Sequence, residues 1–192
     1  MIRTLGLVFA LAVSAAIAVP ALAQAPKLPA GADPQNTLVI DTTQGRIIVK
    51  LRTDLAPKHA ERLKLLARDG FYNNVPWHRV MDGFMAQTGD GKNFNGTGNS
   101  KYPNLASEFT QTPFVRGVVG MARASDPNSA NSQFFICLGD ASFLNGQYTV
   151  IGNVLSGMDV VDKLKKAPRG SQSGAVADPD KMLKVQVAAD MK

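Results

Sequence analysis

Two stretches of sequence, residues 71–90 and 120–137, constrain this 192-residue chain more than any other feature. They place one cation, two amides and several large apolar groups at alternating positions of predicted strands. These side chains are Arg79, Phe84, Met85, Gln87, Gln133 and Phe135. None of them is a strong nucleophile, and they form no metal-ligand cluster. The pattern predicts an apolar pocket rimmed by one arginine and two amides, which suits a reaction driven by shape and hydrogen bonds.

Motifs in and around both stretches resemble the cyclophilins, a family of peptidyl-prolyl cis-trans isomerases. The similarity extends from about Thr37 to Val187, which is nearly all of the chain after its first residues. The matching motifs lie at residues 78–80, 83–87, 89–90, 95–98, 120–122, 132–136 and 143–144, and at Gly152. Because these motifs are long, ordered and co-occurring, the match is far more specific than a single short pattern.

Hydrophobic periodicity predicts many short strands and two helices. The strands are expected at residues 37–43, 46–51, 77–81, 84–88, 115–121, 133–138, 148–154 and 183–187. One helix should begin at Pro57 and end at Gly70, and the other should occupy residues 158–167, before Pro168. Periodicity alone leaves a barrel and a sandwich open. The resemblance implies a mainly β fold, a closed eight-stranded antiparallel β-barrel capped by two α-helices.

Residues 1–23 match a secretory signal peptide, with a short basic start, an apolar run and a small-residue cleavage site before Gln24. The alternative, an uncleaved anchor, is disfavoured because the run is shorter than the roughly 20 residues of a spanning helix. Residues 24–35 read as a linker rich in proline and alanine, and residues 36–190 as one cyclophilin-like isomerase domain. We expect a periplasmic protein without stable membrane insertion after cleavage.

Composition argues against several other functions. The formal net charge of +6 is modest, and the densest basic cluster, at residues 163–169, has no interleaved aromatic side chains, so no nucleic-acid binding is expected. Cys137 is the only cysteine, which excludes an intramolecular disulfide and fits a small residue of a buried strand. The only histidines, His59 and His78, have no acidic partner at metal-ligand spacing. We therefore expect neither a metal nor another cofactor.

The glycine-rich loop at residues 89–98 is not a phosphate cradle. Ala86 stands where the first glycine of a P-loop is needed, and Asn93 follows the lysine where that motif requires serine or threonine. The glycines instead suit tight turns. The resemblance implies that Asn95-Gly96-Thr97-Gly98 lines one side of a peptide groove.

The resemblance implies a catalytic set of Arg79, Gln87 and Phe84. Arg79 would donate to the prolyl nitrogen, because its guanidinium keeps its proton and its rigid fork, while Gln87 would hold a substrate carbonyl. The substrate-binding residues would be Met85, Gly96, Ala122, Arg123, Ala124, Gln133, Phe135, Phe143, Leu144 and Tyr148. Among these, the backbone of Arg123 would pair with the substrate as a strand edge does, and Gln133 would support Arg79.

Two positions depart from the best-known animal cyclophilins and look like the bacterial branch. Phe143 stands where those proteins carry tryptophan, and Tyr148 stands where they carry histidine. Phe143 has no ring N–H to donate, so we expect weak binding of cyclosporin. The segment at residues 125–131 is one residue longer than the animal pattern, so its specificity does not carry over.

The sequence therefore predicts a peptidyl-prolyl cis-trans isomerase that assists the folding of exported proteins. Its expected partners are proline-containing peptides and unfolded exported proteins, and we expect it to be a monomer. The alternative is a peptide-binding module or chaperone whose isomerase activity is incidental, and a third possibility is a structural barrel domain. The intact Arg79 favours the enzyme, because binding alone does not need it.

Overall fold

The structure is a computed structural model that describes residues 28–191. An antiparallel sheet of nine strands curls around the core. The strands are β1 (Thr37–Thr42), β2 (Gly45–Leu51), β3 (Val75–Pro76), β4 (Arg79–Met81), β5 (Met85–Thr88), β6 (Val118–Met121), β7 (Phe134–Cys137), β8 (Val150–Ser156) and β9 (Lys181–Val187). The helices are α1 (Pro57–Arg68), which packs against β9, and α2 (Met158–Lys163), which packs against β2. The expected mainly β fold with two helices is confirmed.

The closed eight-stranded barrel expected from the resemblance is wrong. The strand order is β3-β9-β1-β2-β8-β6-β7-β5-β4, which leaves β3 and β4 as the two edges of a curled half-barrel. These edges follow one another in the chain with only Trp77 and His78 between them, but β3 pairs with β9 and β4 pairs with β5. Pro76 also has no backbone N–H to donate. The sheet therefore ends where the chain passes directly from one edge to the other.

Alternation along the strands separates two faces of the sheet. Val80, Ala86 and Ile136 are paired across β4, β5 and β7 and are fully buried in the main core. Their neighbours Arg79, Gln87 and Phe135 form the adjacent cross-strand row and point to the opposite face. A smaller apolar cluster, which we call the outer cluster, lies on that face. It comprises Met85, Phe114, Val118, Phe135, Cys137, Ala141, Leu144 and Val150.

Helix α1 is capped by a residue far away in sequence. Pro57 occupies its first turn, but Ala56 at the N-cap offers no side-chain acceptor. The Glu108 carboxylate takes that role and accepts hydrogen bonds from the backbone N–H groups of Lys58 (3.2 Å) and His59 (3.1 Å). The same carboxylate lies 2.6 Å from Nδ1 of the buried His59 ring. A loop and a helix are thereby joined by one partly buried acidic group.

Helix α2 ends earlier than periodicity predicts. It stops at Lys163, and Leu164 adopts an extended conformation (φ −55°, ψ 135°). The backbone N–H of Lys165 donates to the Asp180 carboxylate at 2.7 Å instead of to a helical carbonyl. This tertiary acceptor replaces the hydrogen bonds that another helical turn would make.

The signal-peptide prediction and the first part of the predicted linker, residues 24–27, lie outside the described residues. Within the linker, residues 28–33 form an irregular bend, and a short 3-10 turn follows at Pro34–Asn36. Asp33 caps that turn through its side chain, which accepts from the backbone N–H of Gln35 at 3.0 Å. Across residues 28–191, no helix is both long and apolar enough to cross a membrane.

Candidate active site

Arg79 is held in a fixed orientation at the edge of the sheet. Its Nη1 donates to Oε1 of Gln87, its partner across β4 and β5, at 3.3 Å, and its Nε donates to the carbonyl oxygen of Ser173 at 2.9 Å. Nη2 lies 3.2 Å from the sulfur of Met81. Burial lowers the pKa of the Arg79 guanidinium from its ordinary value, but an arginine keeps its charge near neutral pH. Arg79 is therefore an oriented, half-buried cation of the site.

A chain of amides connects Arg79 to the opposite side of the groove. Gln133 donates through Nε2 to the carbonyl oxygens of Gly96 (2.9 Å) and Gly98 (3.0 Å). Its Oε1 accepts from Nε2 of Gln87 at 3.1 Å, which leaves Oε1 of Gln87 facing Arg79. Because the two glycine carbonyls can only accept, they fix which end of the Gln133 amide is the nitrogen. The orientation of the Gln87 amide then follows from its hydrogen bond to Gln133.

Asp90 organises the loop that provides those carbonyls. Its fully buried carboxylate accepts hydrogen bonds from the backbone N–H groups of residues 92, 93, 95, 96 and 98. Burial alone would raise the pKa of Asp90, but these hydrogen bonds outweigh it and lower the pKa to about 2. Sequence reasoning matched Asp90 to a motif without giving it a role. The signal was present, since an acid that precedes a run of glycine and asparagine is a natural acceptor for a tight turn.

A cavity of about 140 Å³ lies beside Arg79, and we call it the apolar cavity because six of its nine lining residues are apolar or aromatic. Nine of the thirteen predicted site residues line it: Arg79, Phe84, Met85, Gln87, Ala122, Arg123, Phe135, Leu144 and Tyr148. The Phe135 ring packs against Phe114 with the ring centroids 5.7 Å apart. Gly120 permits this packing, because a methyl group there would overlap both rings. The cavity therefore has a rigid aromatic floor next to a cation.

A second and larger cavity, of about 420 Å³, adjoins the first and shares Gln87, Ala122 and Arg123 with it. It adds three predicted residues, Gly96, Ala124 and Gln133. Thr97, which it also contains, belongs to the segment expected to line a peptide groove, whereas sequence reasoning missed Asn99, Asn104, Ser129 and Asn131. These positions lie on irregular loops, where no periodicity indicates the direction of a side chain.

Arg123 contributes a side chain where only a backbone role was expected. Its guanidinium lies 4.5 Å from the ring centroid of Tyr148 and donates to the carbonyl oxygen of Gln147 through Nε (3.1 Å) and Nη2 (3.0 Å). Nη1 donates to the carbonyl of Ala124 at 2.8 Å. The Arg123 guanidinium thus connects Tyr148 with the segment of Ala122 and Arg123, and both line the apolar cavity.

Phe143 is placed at the rim and does not line either cavity. Its side chain is 63% exposed, and its ring centroid lies 5.3 Å from that of Phe84. All thirteen predicted residues therefore occupy one continuous region of the surface, with Phe143 at its margin. Among residues 28–191, no group of three or more potential metal ligands is present.

The family follows from a comparison with known proteins. A family model described as "Cyclophilin type peptidyl-prolyl cis-trans isomerase/CLD" matches residues 37–187, which is most of the chain. The chain belongs to this family and is a cyclophilin-type peptidyl-prolyl cis-trans isomerase enzyme.

Relatives and solved structures agree with this assignment. A probable peptidyl-prolyl cis-trans isomerase of Brucella suis is 54% identical over 171 residues, covering 84% of this chain and 87% of that protein. A peptidyl-prolyl cis-trans isomerase of Acinetobacter baylyi is 36% identical, with 79% and 86% covered. The crystal structure of a cyclophilin from Hirschia baltica superposes with a TM-score of 0.74 at 26% identity, over 84% of this chain and 77% of that one. A Cryptosporidium parvum cyclophilin-type isomerase, crystallised in the presence of the dipeptide Ala-Pro, gives 0.70 at 25% identity, over 79% and 98%.

Replacing Phe143 with tryptophan should strengthen inhibition by cyclosporin roughly tenfold. The indole adds an N–H donor at an exposed rim position, worth about 0.5–1.5 kcal/mol, together with further apolar contact. Catalysis should change much less, because Phe143 does not line the cavity beside Arg79. Titrating both proteins with the drug in an isomerase assay measures the effect. Equal inhibition constants would contradict the role assigned to this position.

Activity should vary little between about pH 6 and pH 8. Burial lowers the pKa of His78 and of His59, which opposes protonation of either ring as the pH falls through this range. Burial also raises the pKa of Cys137 to about 12, so the thiol stays protonated. A pH–rate profile of kcat/KM tests this expectation. A sigmoid with a single midpoint near 6.5 would mean that a histidine takes part in the reaction.

Proposed function

We propose that this enzyme isomerises X-Pro peptide bonds in unfolded exported proteins, that it does so as a monomer in the periplasm, and that Arg79 is its principal catalytic residue. The observation that carries the catalytic part is the adjacency of a fixed guanidinium and an apolar cavity lined by Phe84, Phe135 and Leu144. The Ala-Pro dipeptide present with the Cryptosporidium parvum relative supports a proline-containing substrate. The leader-like residues 1–23 support export.

The reaction needs a change in bond order and no proton transfer. The barrier to rotation, about 18–20 kcal/mol, arises from resonance between the nitrogen lone pair and the carbonyl. A donor aimed at the prolyl nitrogen stabilises the lone pair when it leaves that resonance in the twisted state. Arg79 is suited to this task because its charge persists and its position is set by Gln87 and Ser173.

The apolar cavity and the amides supply the remaining interactions. Phe84, Met85, Phe135 and Leu144 hold the proline ring, and the flexible Met85 accommodates more than one ring position. Gln87 holds a substrate carbonyl, while the backbone at residues 122–124 pairs with the peptide. Rate acceleration then comes from tighter binding of the twisted state than of either planar isomer.

Isomerisation and chaperoning are separated by a refolding experiment. An exported protein whose refolding is limited by an X-Pro bond should lose its slow phase when the enzyme is added in catalytic amounts. The same amount of an Arg79→Ala variant should leave that phase unchanged. Equal acceleration by both proteins would favour the alternative of a binding module or chaperone, in which isomerisation is incidental.

Export is tested separately from catalysis. The full chain, produced in a Gram-negative host, should appear in the osmotic-shock fraction with a mature N-terminus near Gln24. Mass spectrometry of the intact protein measures this directly. A product that keeps residues 1–23 and sediments with membranes would overturn the proposed location and leave the isomerase proposal standing. Size-exclusion chromatography with light scattering measures the molar mass in solution and so tests whether the protein is a monomer.

A further inference from the structure

The edge strand that carries Arg79 is covered by a distant loop. The segment at residues 171–175 runs alongside β4, where the backbone N–H of Val80 donates to the carbonyl of Gly174 at 3.0 Å. Arg79 and Ala175 form an isolated antiparallel bridge, and the N–H of Val176 donates to the carbonyl of His78 at 3.1 Å. The free edge of the curled sheet is therefore occupied by this segment, although it is not a regular strand.

The segment also contacts the Arg79 side chain directly. The carbonyl of Ser173 accepts from Nε of Arg79, 94 positions away in sequence. Gly174 has a positive φ of +70°, and a methyl group there would lie 2.5 Å from Cγ of Met81 and 3.2 Å from Cγ of Arg79. The sulfur of Met81 in turn lies 3.2 Å from Nη2 of Arg79. The glycine thus lets the backbone approach both side chains closely.

From these contacts we infer that the 171–175 segment positions Arg79 for catalysis, with Ser173 and Gly174 as positioning residues. The hydrogen bond to Gln87 holds only one terminal nitrogen of Arg79, so the guanidinium could still rotate about that bond. The bond from Nε to Ser173 fixes the opposite end of the guanidinium and hence its plane. A catalytic group displaced by about 1 Å can lose about 10²-fold in rate, so this second anchor controls kcat. The inference rests on the proposed role of Arg79.

Two glycines of the same loop provide a matched pair of variants. Gly174→Ala and Gly170→Ala both force alanine into a left-handed conformation, at φ +70° and +83° respectively. A methyl group at Gly170 meets no heavy atom within 4 Å, whereas at Gly174 it presses on Met81 and Arg79. We expect Gly174→Ala to lower kcat on an Ala-Pro peptide about tenfold or more, with KM changed less than about twofold. Gly170→Ala should keep kcat within about twofold of wild type.

A double-mutant cycle shows whether the effect passes through Arg79. In an Arg79→Ala background, Gly174→Ala should cause no further loss of kcat, because the group that it displaces is gone. An equal loss in both backgrounds would overturn the positioning role while leaving Arg79 catalytic. If Arg79→Ala itself keeps wild-type activity, both the inference and the proposed role of Arg79 fail.

A measurement on the wild-type protein does not depend on the folding of any variant. Hydrogen exchange of the Arg79 Nε–H, followed by NMR, should be slower than that of the partly exposed Arg52, whose Nε donates to the exposed Asp54. Exchange as fast as that of a free arginine side chain would overturn the inference directly.

Discussion

Replacing Arg79 with alanine is expected to slow isomerisation about 10²–10³-fold while the fold remains intact. The loss of one preorganised donor to the reacting group typically costs about 2.7–4 kcal/mol of transition-state stabilisation. The effect should appear mainly in kcat, because the apolar cavity that binds the proline ring keeps its other lining residues. A protease-coupled or NMR exchange assay on an Ala-Pro peptide measures it.

Two variants control this prediction. Arg79→Lys keeps the charge but loses the rigid fork that bonds Gln87 and Ser173 together, so it should recover only part of the activity. Arg46→Ala removes an exposed arginine paired with Asp41 on β1, far from the groove in the strand order, and should leave the rate unchanged. Activity of Arg79→Ala within twofold of wild type, with unchanged thermal unfolding, would contradict the assigned mechanism.

Asp90→Asn should destabilise the protein by about 3 kcal/mol or more. One oxygen of the carboxylate accepts from two backbone N–H groups and the other from three, and an amide nitrogen can accept from none of them. Each buried donor left unsatisfied costs roughly 1–3 kcal/mol. For a domain of this size, the expected fall in the melting temperature is roughly 6–12 °C. The exposed Asp140 accepts from one N–H only, so Asp140→Asn is a matched control and should change stability little.

The pH dependence of stability provides an independent check on Asp90. Its pKa is about 2 in the folded protein, against roughly 3.9 for an unperturbed aspartate. The folded state therefore binds this proton less readily, so the contribution of about 2.6 kcal/mol is present above about pH 5 and is lost as the pH falls towards 2. The difference in unfolding free energy between wild type and Asp90→Asn should narrow over that interval. A difference that stays constant down to pH 2 would show that the carboxylate charge is not the source of the stability.

Local alternation in the sequence was enough to bring the main site residues together on one face. Arg79, Gln87 and Phe135 occupy equivalent positions in strands of period two, and the register places them in one cross-strand row. Val80, Ala86 and Ile136 in the neighbouring row are apolar and buried in the main core, so the row of Arg79, Gln87 and Phe135 faces away from that core. The motif match identified the family and the residues of the apolar cavity, because those residues lie on or next to regular strands.

How the sheet ends was decided only by the tertiary structure. Periodicity predicted one strand over residues 77–81, whereas the chain forms two short edge strands, β3 and β4, on either side of Trp77 and His78. The edge strand β3 is defined by its pairing with Met182 and Lys181 of β9, which are distant in sequence, and such pairing leaves no local pattern. The cap that Glu108 provides for α1 and the stacking of Arg123 on Tyr148 escaped prediction for the same reason.

The sequence by itself determined the chemical groups of the site and the face on which they lie, because side-chain alternation and turn-forming residues are local properties. The tertiary structure alone decided how those groups are held. Asp90 turns a glycine-rich loop inward, and Ser173 reaches Arg79 from 94 residues away. One partner in each of these hydrogen bonds is a backbone group, which every residue possesses, so residue type does not reveal which backbone group is bonded.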